Sequence, residues 1–167
     1  MIIVCPLSAV QSLVDDHQVG HVVSLLGPET AHRQFSGIRR DRHLKLTFHD
    51  IIEPMEGFSA PRLEDTERIV AFVDSWDRNA PMLIHCWAGI SRSTASAFIA
   101  MCMLRPGADE EEIALEMRAA SASATPNRLI VSHADRLLGR SGRMVSAVDA
   151  IGRGADAFEG TPFFLRP

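Results

Sequence analysis

The sequence predicts a single-domain α/β protein in which a central, mainly parallel sheet is flanked by helices. Three observations predict it. The chain has 167 residues, 46% of them hydrophobic, enough for one well-buried domain and too few for two. Short β-branched or leucine-rich runs alternate with segments of helical apolar spacing, the pattern of strands joined by covering helices. One of those runs leads into HCWAGISRS, residues 85–93, a glycine-containing loop followed by a long apolar helix.

Ile2 to Cys5 and His21 to Leu26 are compact apolar runs ended by proline or glycine, which suits buried strands. Between them Leu7, Val10, Leu13 and Val14 fall at helical spacing. Thr30 to Arg42 is polar and basic and predicts a surface loop or short helix. His43 to Phe48 alternates Leu44, Leu46 and Phe48 with polar residues, a period-two strand that stops just before Asp50. Pro61 opens an amphipathic helix through Ile69, Val70, Phe72, Val73 and Trp76. Pro81 to His85 is a short central strand, and Thr94 to Leu104, apolar nearly all round, a buried helix stopped by Pro106 and Gly107. Asp109 to Ala120, Asn127 to Leu138 and a stretch near Met144 to Ile151 predict further helices. The domain is expected to span residues 1–140. Residues 141–167, ending in TPFFLRP, form an extension that packs on the same domain or on a partner.

A net charge of −4 gives no global attraction for nucleic acid, so any anion site is local. Lys45 is the only lysine, and Arg33, Arg39, Arg40 and Arg42 either line a substrate approach or form a solvated face. Cys5, Cys86 and Cys102 are odd in number and have no CxxC spacing, which suggests neither a disulfide framework nor a zinc site and fits the reducing cytoplasm. The apolar start lacks a positive leader region, and no run is long enough for a bilayer, so no membrane partner is expected.

The chemistry concentrates in residues 85–93. A helix start presents unpaired backbone N–H groups and a partial positive charge, and a loop curled around it aims several N–H groups at one phosphate. Trp87, Ala88, Gly89, Ile90, Ser91 and Arg92 would form this phosphate-binding cup between strand and helix, with Gly89 allowing the curl and Arg92 supplying a planar two-pronged donor. Cys86 at its floor would be held as thiolate, the nucleophilic form. Ser93 can place a hydroxyl near the sulfur and stabilise it on departure. His85 either orders the loop through its neutral ring or is a satisfied core histidine. Residues of these types at these offsets arise by accident in roughly one in ten thousand chains of this composition.

The segment resembles the HCxxGxxR[S/T] signature of the cysteine-dependent protein tyrosine phosphatase superfamily, as His85, Cys86, Gly89, Arg92 and Ser93. The chain's size suggests the compact, dual-specificity-like branch of bacterial type, with residues 141–167 outside the resemblance. It implies hydrolysis of phosphomonoesters through a phosphocysteine intermediate, with no cofactor and no metal. It also implies an aspartate after an upstream strand as acid and base. Asp50 in LTFHDIIEP matches, with Asp41 and Glu53 in reserve and a turn-capping role as the plainer reading. Asn127 in ATPNRL resembles an asparagine that steadies the phosphate loop, and equally reads as a helix N-cap. Trp87, Ala88, Ile90 and Ser91 carry no charge, which favours a phosphotyrosine-bearing protein or small aryl phosphate over polyphosphorylated lipids. The rival is a non-catalytic module that recognises phosphorylated partners. GISRS falls one glycine short of the serine-hydrolase elbow.

Overall fold

A computed structural model describes residues 1–167. In chain order its elements are β1 (Ile2–Pro6), α1 (Val10–Asp16), β2 (His21–Leu26), β3 (His43–Thr47), α2 (Leu63–Asp74), β4 (Met82–Cys86), α3 (Arg92–Leu104), α4 (Glu110–Ala120), α5 (Arg128–Leu137), α6 (Arg143–Ile151) and β5 (Phe163–Leu165), with a 3-10 turn at Arg40–Arg42. The strands form one sheet in the order β3-β2-β4-β1-β5. β1, β2, β3 and β4 are parallel and β5 runs antiparallel to β1. The expected α/β architecture is therefore observed, mainly parallel and covered on both faces.

Strand side chains divide between two cores with the period of two that a pleated strand imposes. Ile2, Val4, Val23, Leu25, Met82, Ile84 and Cys86 face the larger core under α2 to α6. Ile3, Cys5, Val22 and Leu83 face a smaller one with Val10 and Val14 of α1, closed by Phe35 from the loop before β3. Burial on both faces explains why β1, β2 and β4 appear in the sequence as continuous apolar runs. α3 lies at the centre of the larger core. Every residue from Arg92 to Cys102 is buried, and small Ala95, Ala97 and Ala100 let its neighbours approach closely.

α3 starts at Arg92, two residues before the expected Thr94, because the Ser91 carbonyl already accepts the Ala95 amide at 2.9 Å. α1 starts late because the chain first turns, Ala9 N–H donating to the Pro6 carbonyl. The terminal apolar segment is a strand: Phe163 and Leu165 point inward and Phe164 outward against β1. α6 is fixed by buried charge. Asp135 of α5 accepts the amides of Gly142 and Met144 at 2.6 and 2.8 Å, capping the helix start, and buried Glu110 of α4 accepts from Arg140 and Arg143.

The carboxyl ends of the four parallel strands share one edge, where open α/β sheets hold their ligands. β4 sits between β2 and β1, so the loops after those strands part around its end, leaving Cys86 in the crevice. Arg39, Arg40 and Arg42 precede β3 and lie at the opposite edge, where Arg39 pairs with Asp41 and Arg42 with Asp77. Of the two readings of these arginines the solvated face holds and the substrate approach does not, and Asp41, paired with Arg39 there, is removed from the candidates for the acid. No helix is long and apolar enough to cross a membrane.

Candidate active site

Residues 86–92 join the buried end of β4 to the start of α3, and the loop's carbonyls are claimed from outside. The Trp87 carbonyl accepts Leu7 N–H at 3.1 Å, Ala88 accepts Gly160 N–H at 2.8 Å, Ile90 accepts Thr125 N–H at 2.9 Å and Ser91 accepts Asn127 N–H at 3.2 Å. A trans peptide places C=O of one residue and N–H of the next on opposite sides. The amides of Ala88, Gly89, Ser91 and Arg92 are thereby turned into the cup. Gly89 N–H indeed donates to Cys86 Sγ at 3.2 Å.

Gly89 is required twice over. Its φ is +72°, the left-handed region, and a Cβ there would lie 2.6 Å from the Pro6 nitrogen and 2.7 Å from the Cys5 carbonyl carbon. The loop is pressed onto the end of β1 so closely that only hydrogen fits.

Cys86 is buried, with Ser93 Oγ 3.2 Å from its sulfur. Backbone and hydroxyl donors together with the α3 N-terminus suit a sulfur anion. Cys5 and Cys102 differ: burial pushes each thiol up to about 12, so both stay protonated and inert. Arg92 is buried at the first position of α3. Its Nη1 donates to the Phe48 carbonyl at 2.9 Å, while Nε has no hydrogen-bond partner and lies 3.7 Å from Asp50 Oδ2. A buried guanidinium N–H without an acceptor is costly, and an oxyanion in the cup would supply one.

Asp50 follows β3 and reaches the same place. Its Oδ1 accepts Ser91 Oγ–H at 2.7 Å and Asn127 Nδ2–H at 2.8 Å, leaving Oδ2 unengaged by either. Asn127 is the helix cap its sequence context suggested, but its side chain steadies the loop after β3 and meets the phosphate loop only through its backbone N–H to the Ser91 carbonyl. Its Oδ1 caps α5 by accepting the amides of Leu129 and Ile130, and its Nδ2 also donates to the Ile51 carbonyl. Glu53, the reserve candidate, lines a cavity of about 860 Å3 shared with Asp50, Met55, Ser91, Asn127 and Arg153.

His85 underpins the loop from below through a buried chain. Its Nδ1 lies 3.4 Å from the Cys86 carbonyl, its Nε2 2.7 Å from Ser24 Oγ, and Ser24 Oγ 2.8 Å from His43 Nε2. Desolvation pushes His85 and His43 down to about 4, so both rings are neutral near pH 7. A carbonyl only accepts, which puts the His85 proton on Nδ1. Ser24 then donates to His85 and accepts from His43.

The structure thus brings together Cys86, the loop residues Trp87 to Arg92, Ser93, Asp50 and Asn127, with His85 beneath. Four contributors escaped the sequence: Ser24 and His43, the Gly160 amide, and His49. His49 accepts Ser59 N–H on Nδ1 at 2.9 Å and so donates from Nε2 to Glu29 at 2.8 Å, fastening the loop that carries Asp50. Isolated residues of these types carry no motif; only the folded chain assembles them.

Comparison with known proteins agrees with this fold. Residues 8–108 match a family described as "Polymorphic toxin system, DSP-PTPase phosphatase". A crystal structure of DUSP15 superposes with TM-score 0.66 at 16% identity, covering 89% of this chain and 90% of that one. Human DUSP28 gives 0.60 at 17%, covering 90% and 95%. PTPMT1 in complex with PI(5)P gives 0.58 at 16%, covering 84% and 94%. A search of curated proteins finds no match.

Proposed function

This chain belongs to the DSP-PTPase phosphatase family of polymorphic toxin systems and is a cysteine-dependent phosphatase; from that premise we propose that it hydrolyses aryl phosphomonoesters, phosphotyrosine in a protein or a small aryl phosphate, through a phosphocysteine intermediate. Cys86 Sγ attacks phosphorus and the bond to the leaving oxygen breaks. Asp50 gives that oxygen its proton from Oδ2, the carboxyl oxygen free of Ser91 and Asn127. In the second step the Asp50 carboxylate takes a proton from water as it attacks the phosphocysteine, and sulfur leaves as thiolate with Ser93 Oγ–H donating to it. The inward amides of the loop and the Arg92 guanidinium hold the three phosphoryl oxygens as charge redistributes.

The observation that carries this reading is the engagement of the Trp87, Ala88, Ile90 and Ser91 carbonyls by other segments, with the Gly89 N–H donating to the Cys86 sulfur. That arrangement serves an oxyanion and has no evident use in a structural turn. An aromatic leaving group is supported by an exposed aromatic pair on the loop's surface, where Trp87 packs edge-on to Phe158 with ring centroids 5.4 Å apart. The PTPMT1 complex makes an inositol phosphate the competing substrate class. A loop without a single lysine or additional arginine between Cys86 and Arg92 favours the aryl ester. Unpaired cysteines support action in the reducing cytoplasm.

The test is turnover of p-nitrophenyl phosphate and a phosphotyrosine peptide without added metal, with vanadate as inhibitor. Turnover that Cys86→Ser abolishes supports the proposal. Binding of both esters without turnover would leave only the recognition module.

A further inference from the structure

The segment after α6 has no regular structure from Gly152 to Pro162, yet it is tied down along its length. Arg118 of α4 donates to the Ile151 carbonyl at 2.9 Å and the Gly152 carbonyl at 2.7 Å. Gly154 N–H donates to Thr125 Oγ1 at 3.0 Å and Ala155 N–H to the Ala122 carbonyl at 2.8 Å. Gly160 N–H then donates to the Ala88 carbonyl at 2.8 Å, and β5 follows on the edge of β1. This strap crosses the loop between α4 and α5 and ends against the phosphate loop. It lies wholly outside residues 8–108, which carry the family match.

The contact at Gly160 is specific in direction and in space. The Ala88–Gly89 peptide is held from both sides: its carbonyl is drawn outward by Gly160, and its N–H is directed at Cys86 Sγ, 3.2 Å away. A Cβ on Gly160 would lie 3.1 Å from the Gly89 carbonyl oxygen. Gly89, lacking a side chain, offers little resistance of its own to rotation of that peptide. If it turned over, a carbonyl dipole would face the anion where a donor is needed.

We propose that Gly160 is a positioning residue of the active site, its backbone amide locking the Ala88–Gly89 peptide with the N–H directed into the cup, so that oxyanion affinity depends on the strap. The inference rests on the cup being a phosphate site.

The experiment compares Gly160→Pro, which removes the donor, with Gly160→Ala, which keeps it at a tight contact. Vanadate inhibition, kcat, KM and thermal midpoint are measured on each. Gly160→Pro should weaken vanadate and lower kcat about tenfold, the scale of one buried acceptor left unpaired, with Gly160→Ala within about threefold of wild type. A Gly160→Pro protein of lowered thermal midpoint that still binds vanadate like wild type overturns the proposal, because Gly160 then serves stability alone. Should Gly160→Pro not fold, amide hydrogen exchange on the wild-type chain decides. Vanadate must slow exchange of the Gly160 amide severalfold, since coupling is reciprocal, and an unchanged rate overturns the proposal. Wild-type protein insensitive to vanadate fails the phosphatase reading itself. Sensitivity that is equal in wild type and Gly160→Pro fails only this inference.

Discussion

Asn127 Nδ2 stands 2.8 Å from Asp50 Oδ1 while Asn127 Oδ1 takes the amides of Leu129 and Ile130, so a single side chain both begins α5 and holds the candidate acid. The two duties separate by substitution. Serine caps a helix about as well as asparagine but is too short to reach Asp50. Asn127→Ser is therefore expected to keep unfolding stability within ~0.5 kcal/mol in urea and to lower kcat about tenfold. Equal loss of stability and rate would reduce Asn127 to a cap.

Asp50→Asn keeps the hydrogen bonds of Oδ1 and removes the exchangeable proton from the other end of the group. For esters with poor leaving groups kcat should fall by ~10²–10⁴, and much less for p-nitrophenyl or more acidic leaving groups. A Brønsted plot against leaving-group pKa measures it. A parallel drop for every ester would shift the acid to Glu53, in the same cavity wall.

Arg92→Lys retains the charge and loses the planar fork. One ammonium cannot both satisfy the Phe48 carbonyl and clamp two phosphoryl oxygens. Steady-state kinetics should show a loss of about 10²-fold or more in kcat/KM. A change of less than about threefold would mean that charge alone suffices.

The buried histidine chain predicts a pH dependence of stability. His85 titrates near 4 in the folded protein against about 6.5 when exposed, because burial disfavours its charged form. Below about pH 6.5 the unfolded chain takes up a proton that the folded chain refuses, so stability falls as pH drops through this window. From pH 6.5 to pH 5 the His85 contribution is ~2 kcal/mol. His43, more open to solvent, adds in the same direction. Urea unfolding at the two pH values gives the slope, which His85→Gln should flatten; an identical slope in that variant would remove His85 from the account.

The phosphate loop was legible in the sequence because the residue types at 85, 86, 89, 92 and 93 are themselves the chemistry, and their offsets are set by one tight turn. Asp50 was legible through the alternation of Leu44, Leu46 and Phe48, which placed it at a strand end. The continuous apolar runs of β1, β2 and β4 revealed burial on both faces, though not the order of the sheet. The double duty of Asn127 was only half visible, since the bond to Asp50 spans 77 residues and depends on how β3 and α5 are brought together. The arginines at 39, 40 and 42 left two readings open, because charge along the chain carries no information about which edge of a sheet it reaches, and the solvated face is the one observed. Gly160 offered no signal at all. Its contribution is a main-chain amide, which every residue but proline possesses.

β5 gives the molecule a consequence beyond catalysis. It extends the sheet beyond β1, so that β3 and β5 are its two borders, and on β3 Lys45 fills a polar position of the alternation. Charge on an open border discourages a second copy from zippering onto it. Behind β5 lies IIVCP, five residues buried along their whole length. Peeling away three residues would uncover an uncharged template for strand pairing, so Phe163 to Leu165 also cover an adhesive edge.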